Sequence, residues 1–180
     1  MIREFSVKPK PTNNKARALF IVCMLLAFLF VIGSTLISTY RGVVSLAGVL
    51  FLCAALVTYT KYISPSYFYD ITFDSSDRPI FVVRQQIGKR YTTLCRIGLA
   101  EIVKVEKESA KDRRDHKTPS GVVKYTYLPT LDPAESYRLT TSGRYERAEI
   151  LIESSDGFAE LLSAYSAEAR EMRTEDDDEY

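Results

Sequence analysis

Two long apolar runs open the chain, and strict alternation takes over after them. Ala18–Thr39 holds 22 residues without a charge or a proline. As a helix it reaches roughly 33 Å, enough to cross a hydrocarbon core of ~30 Å. Val43–Thr60 is a second uncharged run of 18 residues, with a helical reach of roughly 27 Å. Only Tyr40, Arg41 and Gly42 separate the two. The pattern predicts a transmembrane helical hairpin over 18–63, because backbone in hydrocarbon must satisfy its own hydrogen bonds. A cleaved signal peptide has a shorter apolar core of about 7–15 residues. A chain of 180 residues is also too small to bury two wholly apolar helices on every side.

After Ser64 the period drops to two. Tyr67, Tyr69, Ile71 and Phe73 alternate with Phe68, Asp70 and Thr72, which predicts a strand. Ile80–Ile87 and Arg90–Arg96 read as a hairpin turning at Gly88-Lys89. Glu101–Lys107, Val122–Leu128, Tyr137–Thr141 and Ala148–Glu153 complete seven strands, with the charged stretch Ser109–Gly121 read as a loop. The last element changes period again. Phe158, Leu161, Leu162, Tyr165 and Ala169 recur at helical spacing, behind Ser155 or Asp156 as a cap. This predicts an amphipathic helix to about Met172, followed by an acidic tail over 173–180 expected to be disordered. Strands and helix are segregated, so no parallel βαβ sheet is expected. The expected fold class is α+β: the hairpin, then a seven-stranded antiparallel barrel or sandwich over 64–172. The C-terminal helix closes one end with Phe158, Leu161, Leu162 and Tyr165.

Charge placement adds orientation. The tail over 1–17 carries Arg3, Lys8, Lys10, Lys15 and Arg17 against Glu4, and it contains Pro9 and Pro11. It reads as an irregular basic segment beside anionic headgroups, and by the positive-inside rule it is cytoplasmic. Two crossings return the chain to the same side, so both termini are expected in the cytoplasm of a multi-pass inner-membrane protein. Lys61 with Tyr59, Tyr62, Tyr67, Phe68 and Tyr69 suits the interface where the second helix leaves the bilayer. Cys23, Ala27 and Ser34 fall on one face of the first helix; Ala47, Gly48, Ala54, Ala55 and Thr58 fall on one side of the second. Small residues of this kind let helices pack closely in lipid. Neither span holds an acidic residue, a His or a Lys, which argues against an ion pathway. Cys23, Cys53 and Cys95 have no metal or redox spacing and read as reduced apolar fillers.

Four segments carry a family resemblance. They are Tyr67-Phe68-Tyr69-Asp70, Ile87-Gly88-Lys89-Arg90, the run Gly98–Glu106, and Asp156-Gly157-Phe158-Ala159-Glu160-Leu161-Leu162. With two preceding spans, the chain from Ala18 to about Met172 resembles the bacterial membrane-anchored PH-like domain proteins of the YcxB type. The resemblance implies a pleckstrin-homology-like fold and no defined activity, since one fold hosts many functions. Lipid-binding PH domains carry a basic pattern across their first two strands. Here that segment holds Asp70, Asp74 and Asp77 with only Arg78 before Arg84, which speaks against phosphoinositide binding.

The candidate contact residues are basic: Lys111, Arg113, Arg114 and Lys117 in the charged loop, and Lys89 and Arg90 on the hairpin tip. They suit a membrane-protein partner or anionic lipid. His116 has Asp115 and Ser120 nearby, but neighbours in a polar loop seldom converge as a triad. One His cannot make a zinc site, no phosphate-binding glycine loop is present, and the domain is not basic enough for nucleic acid. The expectation is therefore a non-enzymatic interaction or scaffold module with no cofactor. The alternative is a non-catalytic subunit, enzyme or transporter component acting through the transmembrane hairpin.

Overall fold

The computed structural model describes residues 2–10, 13–36, 40–143 and 147–178, with backbone alone over 174–178. It divides into two compact units. One runs Pro11–Pro65; the other joins the segment up to Lys10 to everything from Ser66 onward.

The first unit is a pair of helices, α1 (Asn14–Leu36) and α2 (Arg41–Thr58), with a π-helical turn over Tyr59–Ile63. Both helices are long and apolar enough to cross a membrane. Residues 37–39, at the end of the first predicted span, lie outside the described residues. The helices meet through small side chains. Ala16, Cys23, Ala27 and Ser34 are buried on α1, and Gly48, Ala55 and Thr58 on α2; the predicted Ala54 is exposed instead. The tightest approach is at Gly48, where an added Cβ would lie 3.3 Å from both Phe30 Cβ and Val31 Cγ2. Phe30 stacks on Phe51 next to it, with ring centroids 5.5 Å apart. The remaining surface is apolar and exposed, as at Leu25, Phe28, Leu36, Val43 and Leu50. Hydroxyls return to their own helix: Ser34 Oγ donates to the Val31 carbonyl at 2.7 Å and Thr58 Oγ1 to that of Ala54 at 2.8 Å. Asn13 donates its side-chain amide to the Tyr62 carbonyl at 2.8 Å, tying the start of the pair to its end.

The second unit has two four-stranded sheets. Sheet 1 is ordered β1-β2-β3-β4, from β1 (Phe5–Val7), β2 (Ser66–Phe73), β3 (Pro79–Ile87) and β4 (Arg90–Gly98). Sheet 2 is ordered β5-β7-β8-β6, from β5 (Ile102–Ser109), β6 (Val122–Tyr127), β7 (Glu135–Ser142) and β8 (Arg147–Ile152). A short helix α3 (Ala110–Asp115) follows β5, and α4 (Asp156–Asp178) ends the chain. Inward residues of both sheets meet in one core that includes Tyr69, Ile71, Phe81, Leu139, Ile150 and Ile152. Phe158 and Leu162 of α4 enter that core, and Leu161 and Tyr165 pack against its edge, as the helical spacing predicted. The Tyr69 hydroxyl links the sheets. It donates to the Tyr127 carbonyl at 2.8 Å and accepts the Glu153 N–H at 3.2 Å, and burial holds its phenol protonated far above the ordinary range.

The structure corrects four expectations. The basic tail is not irregular throughout: Phe5, Ser6 and Val7 pair antiparallel with Ile71, Asp70 and Tyr69. Ile2 is buried in the core, and Phe5 stacks on Phe158 at 6.0 Å. The strands are not all antiparallel, because β6 pairs parallel with β8. β7 lies in the connection from β6 to β8, which gives the parallel pair the long crossover it needs. The described strands number eight rather than seven, and of the expected barrel or sandwich they make two sheets. Finally, the acidic tail is helical in its backbone to Asp178. Extending a formed helix adds one hydrogen bond per residue fixed, so charge alone does not stop it.

Candidate functional site

The charged stretch Ser109–Gly121 forms a cover over sheet 2. Ser109 Oγ accepts the Asp112 N–H at 3.2 Å, and the Asp112 carboxylate accepts the Ser109 N–H at 3.2 Å. This reciprocal cap satisfies two otherwise unpaired donors and starts α3. The Ser109 side chain and backbone also hold the Asp112 carboxyl below its usual range. Arg113 pins α3 to the start of β7 and the chain just before it. It donates to Ser136 Oγ at 2.9 Å, to Asp132 Oδ1 at 3.1 Å and to the Pro133 carbonyl at 2.9 Å.

Beneath this cover lies a chain of charged side chains. Glu108, Arg138 and Glu149 alternate with core residues on β5, β7 and β8, so they point away from the core. Glu108 and Glu149 are nevertheless buried, and the Arg138 side chain is only 12% exposed. Arg138 donates through Nη2 to Glu108 Oε1, and its Nη1 lies 2.8 Å from His116 Nδ1. His116 Nε2 lies 3.0 Å from each oxygen of Glu149, and Thr118 Oγ1 donates to Glu149 Oε2 at 3.3 Å. A guanidinium only donates, so Nδ1 accepts; Nε2 then carries the hydrogen and donates to the carboxylate. Both ring nitrogens are committed, and the imidazole offers no lone pair to a substrate or metal in this arrangement. His116 thus turns to Glu149 rather than to Asp115 or Ser120. Among the described residues no group of three His, Cys, Asp or Glu side chains could hold a metal ion.

The six predicted contact residues are not brought into one cluster. Lys89 and Arg90 are exposed on the β3–β4 turn of sheet 1, where Gly88 adopts a φ of +60°. Lys111 and Lys117 are exposed on the cover of sheet 2. Arg114 shares Asp132 at 3.2 Å yet stays 72% exposed. Arg113 is turned inward, 12% exposed, with its donors spent on the protein. Sequence reasoning missed Glu108, Arg138 and Glu149, because a charge on an alternating strand looks like a solvated outer face. The cap had a legible signal in Ser109-Ala110-Lys111-Asp112.

Comparison with protein-family models, with curated proteins and with solved structures gives no match.

Proposed function

We propose that the chain is a membrane-anchored, non-catalytic interaction module of the bacterial inner membrane, related to the PH-like proteins of the YcxB type. The observation that carries this is the pairing of β1 with β2. One strand precedes the two apolar helices and the other follows them. Both flanks of the hairpin belong to one sheet, which supports a topology with both on one side of a membrane. The basic residues of the first segment make that side the cytoplasm. With only residues 8–13 and 64–65 linking the sheet to the helices, the domain stays close to the bilayer. Its effective concentration against membrane-bound partners rises accordingly. Two sheets sharing a core with a C-terminal helix support the PH-like relation. The committed nitrogens of His116 support a role without catalysis. Lys111, Arg114 and Lys117 are the contact surface, through which the domain engages an acidic partner protein in the same membrane.

The test is co-purification from cross-linked membranes, comparing the native chain with Lys111→Ser/Arg114→Ser/Lys117→Ser. These changes spare Arg113 and His116, which hold the cover in place. A partner retained by the native chain and lost by the triple variant is expected. The same partner from both would move the contact to another surface. No partner from either would remove the interaction reading.

A further inference from the structure

The two sheets part along one side. β4 is one of the two outer strands of sheet 1 and β6 one of the two of sheet 2. Between them the domain holds a cavity of about 1040 Å³, at the upper end of small-molecule sites at ~300–1,000 Å³. Leu94, Ile97, Tyr125, Tyr127, Ile150 and Met172 give it an apolar and aromatic stretch of wall, beside charged residues at the rim. Tyr125 and Tyr127 present ring planes only 4° apart, with centroids 6.3 Å apart.

Two polar side chains of the wall are already used. Tyr127 Oη donates to the Leu94 carbonyl at 3.3 Å, and Thr141 Oγ1 to the Ala148 carbonyl at 3.1 Å. Burial pushes the Cys95 thiol up, which keeps it neutral. A sugar or a nucleotide would bury hydroxyls or ring nitrogens against such a wall without partners, at a cost. A hydrocarbon chain against the apolar stretch carries no such groups to leave unpaired. The rim differs from the wall: Arg78, Arg96 and Arg173 stand against Asp77 and Glu101. Arg96 is engaged by Asp74 at 2.5 Å, while Arg78 and Arg173 are exposed.

We propose that this cavity binds the hydrocarbon chain of an anionic amphiphile, with Arg78 and Arg173 meeting the charged head. Its supply rests on the membrane-anchored reading, since a domain held at the bilayer meets such molecules constantly. A free fatty acid and an anionic phospholipid share the required chemistry.

The chain contains no Trp, so Leu94→Trp places a single indole in the wall, and Ile97→Trp serves as a second reporter. Each full-length variant is reconstituted in phosphatidylcholine nanodiscs and titrated with dibromostearate, whose bromines quench indole on contact. Saturable quenching is expected, reversed by excess stearate and not by stearyl alcohol. Replacing Arg78 or Arg173 with Gln should weaken it by about fivefold each, the worth of ~1 kcal/mol for an exposed charge pair. Discs carrying brominated phosphatidylglycerol form the second arm. Quenching there, relieved by added unbrominated phosphatidylglycerol, makes the phospholipid the source; quenching by the free acid alone makes it the fatty acid. Equal displacement by stearyl alcohol would overturn the anionic head. No saturable quenching in either arm, from reporters that melt like the native chain, would overturn the site. Alkaline extraction of the same discs reads anchoring separately: a chain that binds stearate but washes off the lipid fails only the membrane reading.

Discussion

Two interfaces in this protein are closed by opposite means. The seam between α1 and α2 is closed by subtraction: Ala27, Cys23 and Ser34 face Gly48, Ala55 and Thr58, and most bulky residues other than Phe30 and Phe51 are exposed. The outer face of sheet 2 is closed by addition, with Glu108, Arg138, His116 and Glu149 filling the space beneath α3 and the segment after it. The difference follows from what lies outside. An apolar exterior suits hydrocarbon, where helices gain nothing from hiding apolar area, so close backbone approach and dispersion decide. In water, a cover made of Lys, Arg and Asp has little apolar surface to bury. Paired charges give it one defined seat at the expense of desolvation.

The largest expected effect breaks the charged interface. Arg138→Met leaves Glu108 buried without its cation and His116 Nδ1 without its donor, and should cost about 3–5 kcal/mol, read as a lowered unfolding midpoint of the full chain. Replacing Glu108, Arg138 and Glu149 together with Leu, Met and Leu should recover most of that loss, because an apolar set of similar volume needs no pairing. If the triple variant is as unstable as the single one, the charges do more than fill space. Phe158→Ala supplies the apolar yardstick in the same domain, at about 3–5 kcal/mol for a buried aromatic; Phe158 is 2% exposed. An Arg138→Met cost well below that yardstick would mark the cover as loosely seated.

A smaller effect breaks the seam. Gly48→Leu forces side-chain atoms toward Phe30 and Val31, where even a Cβ would already lie at 3.3 Å. Overpacking of this kind should cost about 1–3 kcal/mol, measured by unfolding in mixed detergent. Leu25→Ala on the exposed face should change little in the same assay. The smallest effect concerns the cover's first turn. Ser109→Ala removes the cap and should cost about 1 kcal/mol. The pH dependence has a definite sign. The Asp112 carboxyl is held below its ordinary value of 3.8, so its contribution is present above that value and is lost as the pH falls through the lower, folded-state value. Protection of the α3 amides, taken relative to intrinsic exchange at each pH, should therefore fall toward acid, and Asp112→Asn should remove that dependence.

Much of the architecture is legible in local pattern. Uncharged runs of fixed length mark both helices of the pair, and helical spacing places Phe158 and Leu162 in the core before any contact is known. Period two marks β2, β3 and β7 within a residue or two of their bounds. Less of the candidate site is legible. The Ser109–Asp112 cap is a local signal, whereas His116 and Glu149 stand 33 residues apart on segments that each look solvent-facing. The wall of the cavity has no sequence signature, because Tyr127 and Ile150 show only the alternation that every strand shows.

By itself the sequence determines what each segment must avoid. Ala18–Thr39 must avoid water, the inward residues of the strands must share a core, and α4 must hide one face. These follow from transfer free energy, which acts residue by residue and leaves a periodic trace. Only the tertiary structure decides which segments satisfy one another. Phe5–Val7 joins β2 across the whole helical pair, β6 runs parallel to β8, and Arg138 serves both Glu108 and His116. Pairing depends on three-dimensional proximity, and a backbone hydrogen bond or buried charge accepts any partner of suitable geometry. That choice leaves no periodic trace along the chain.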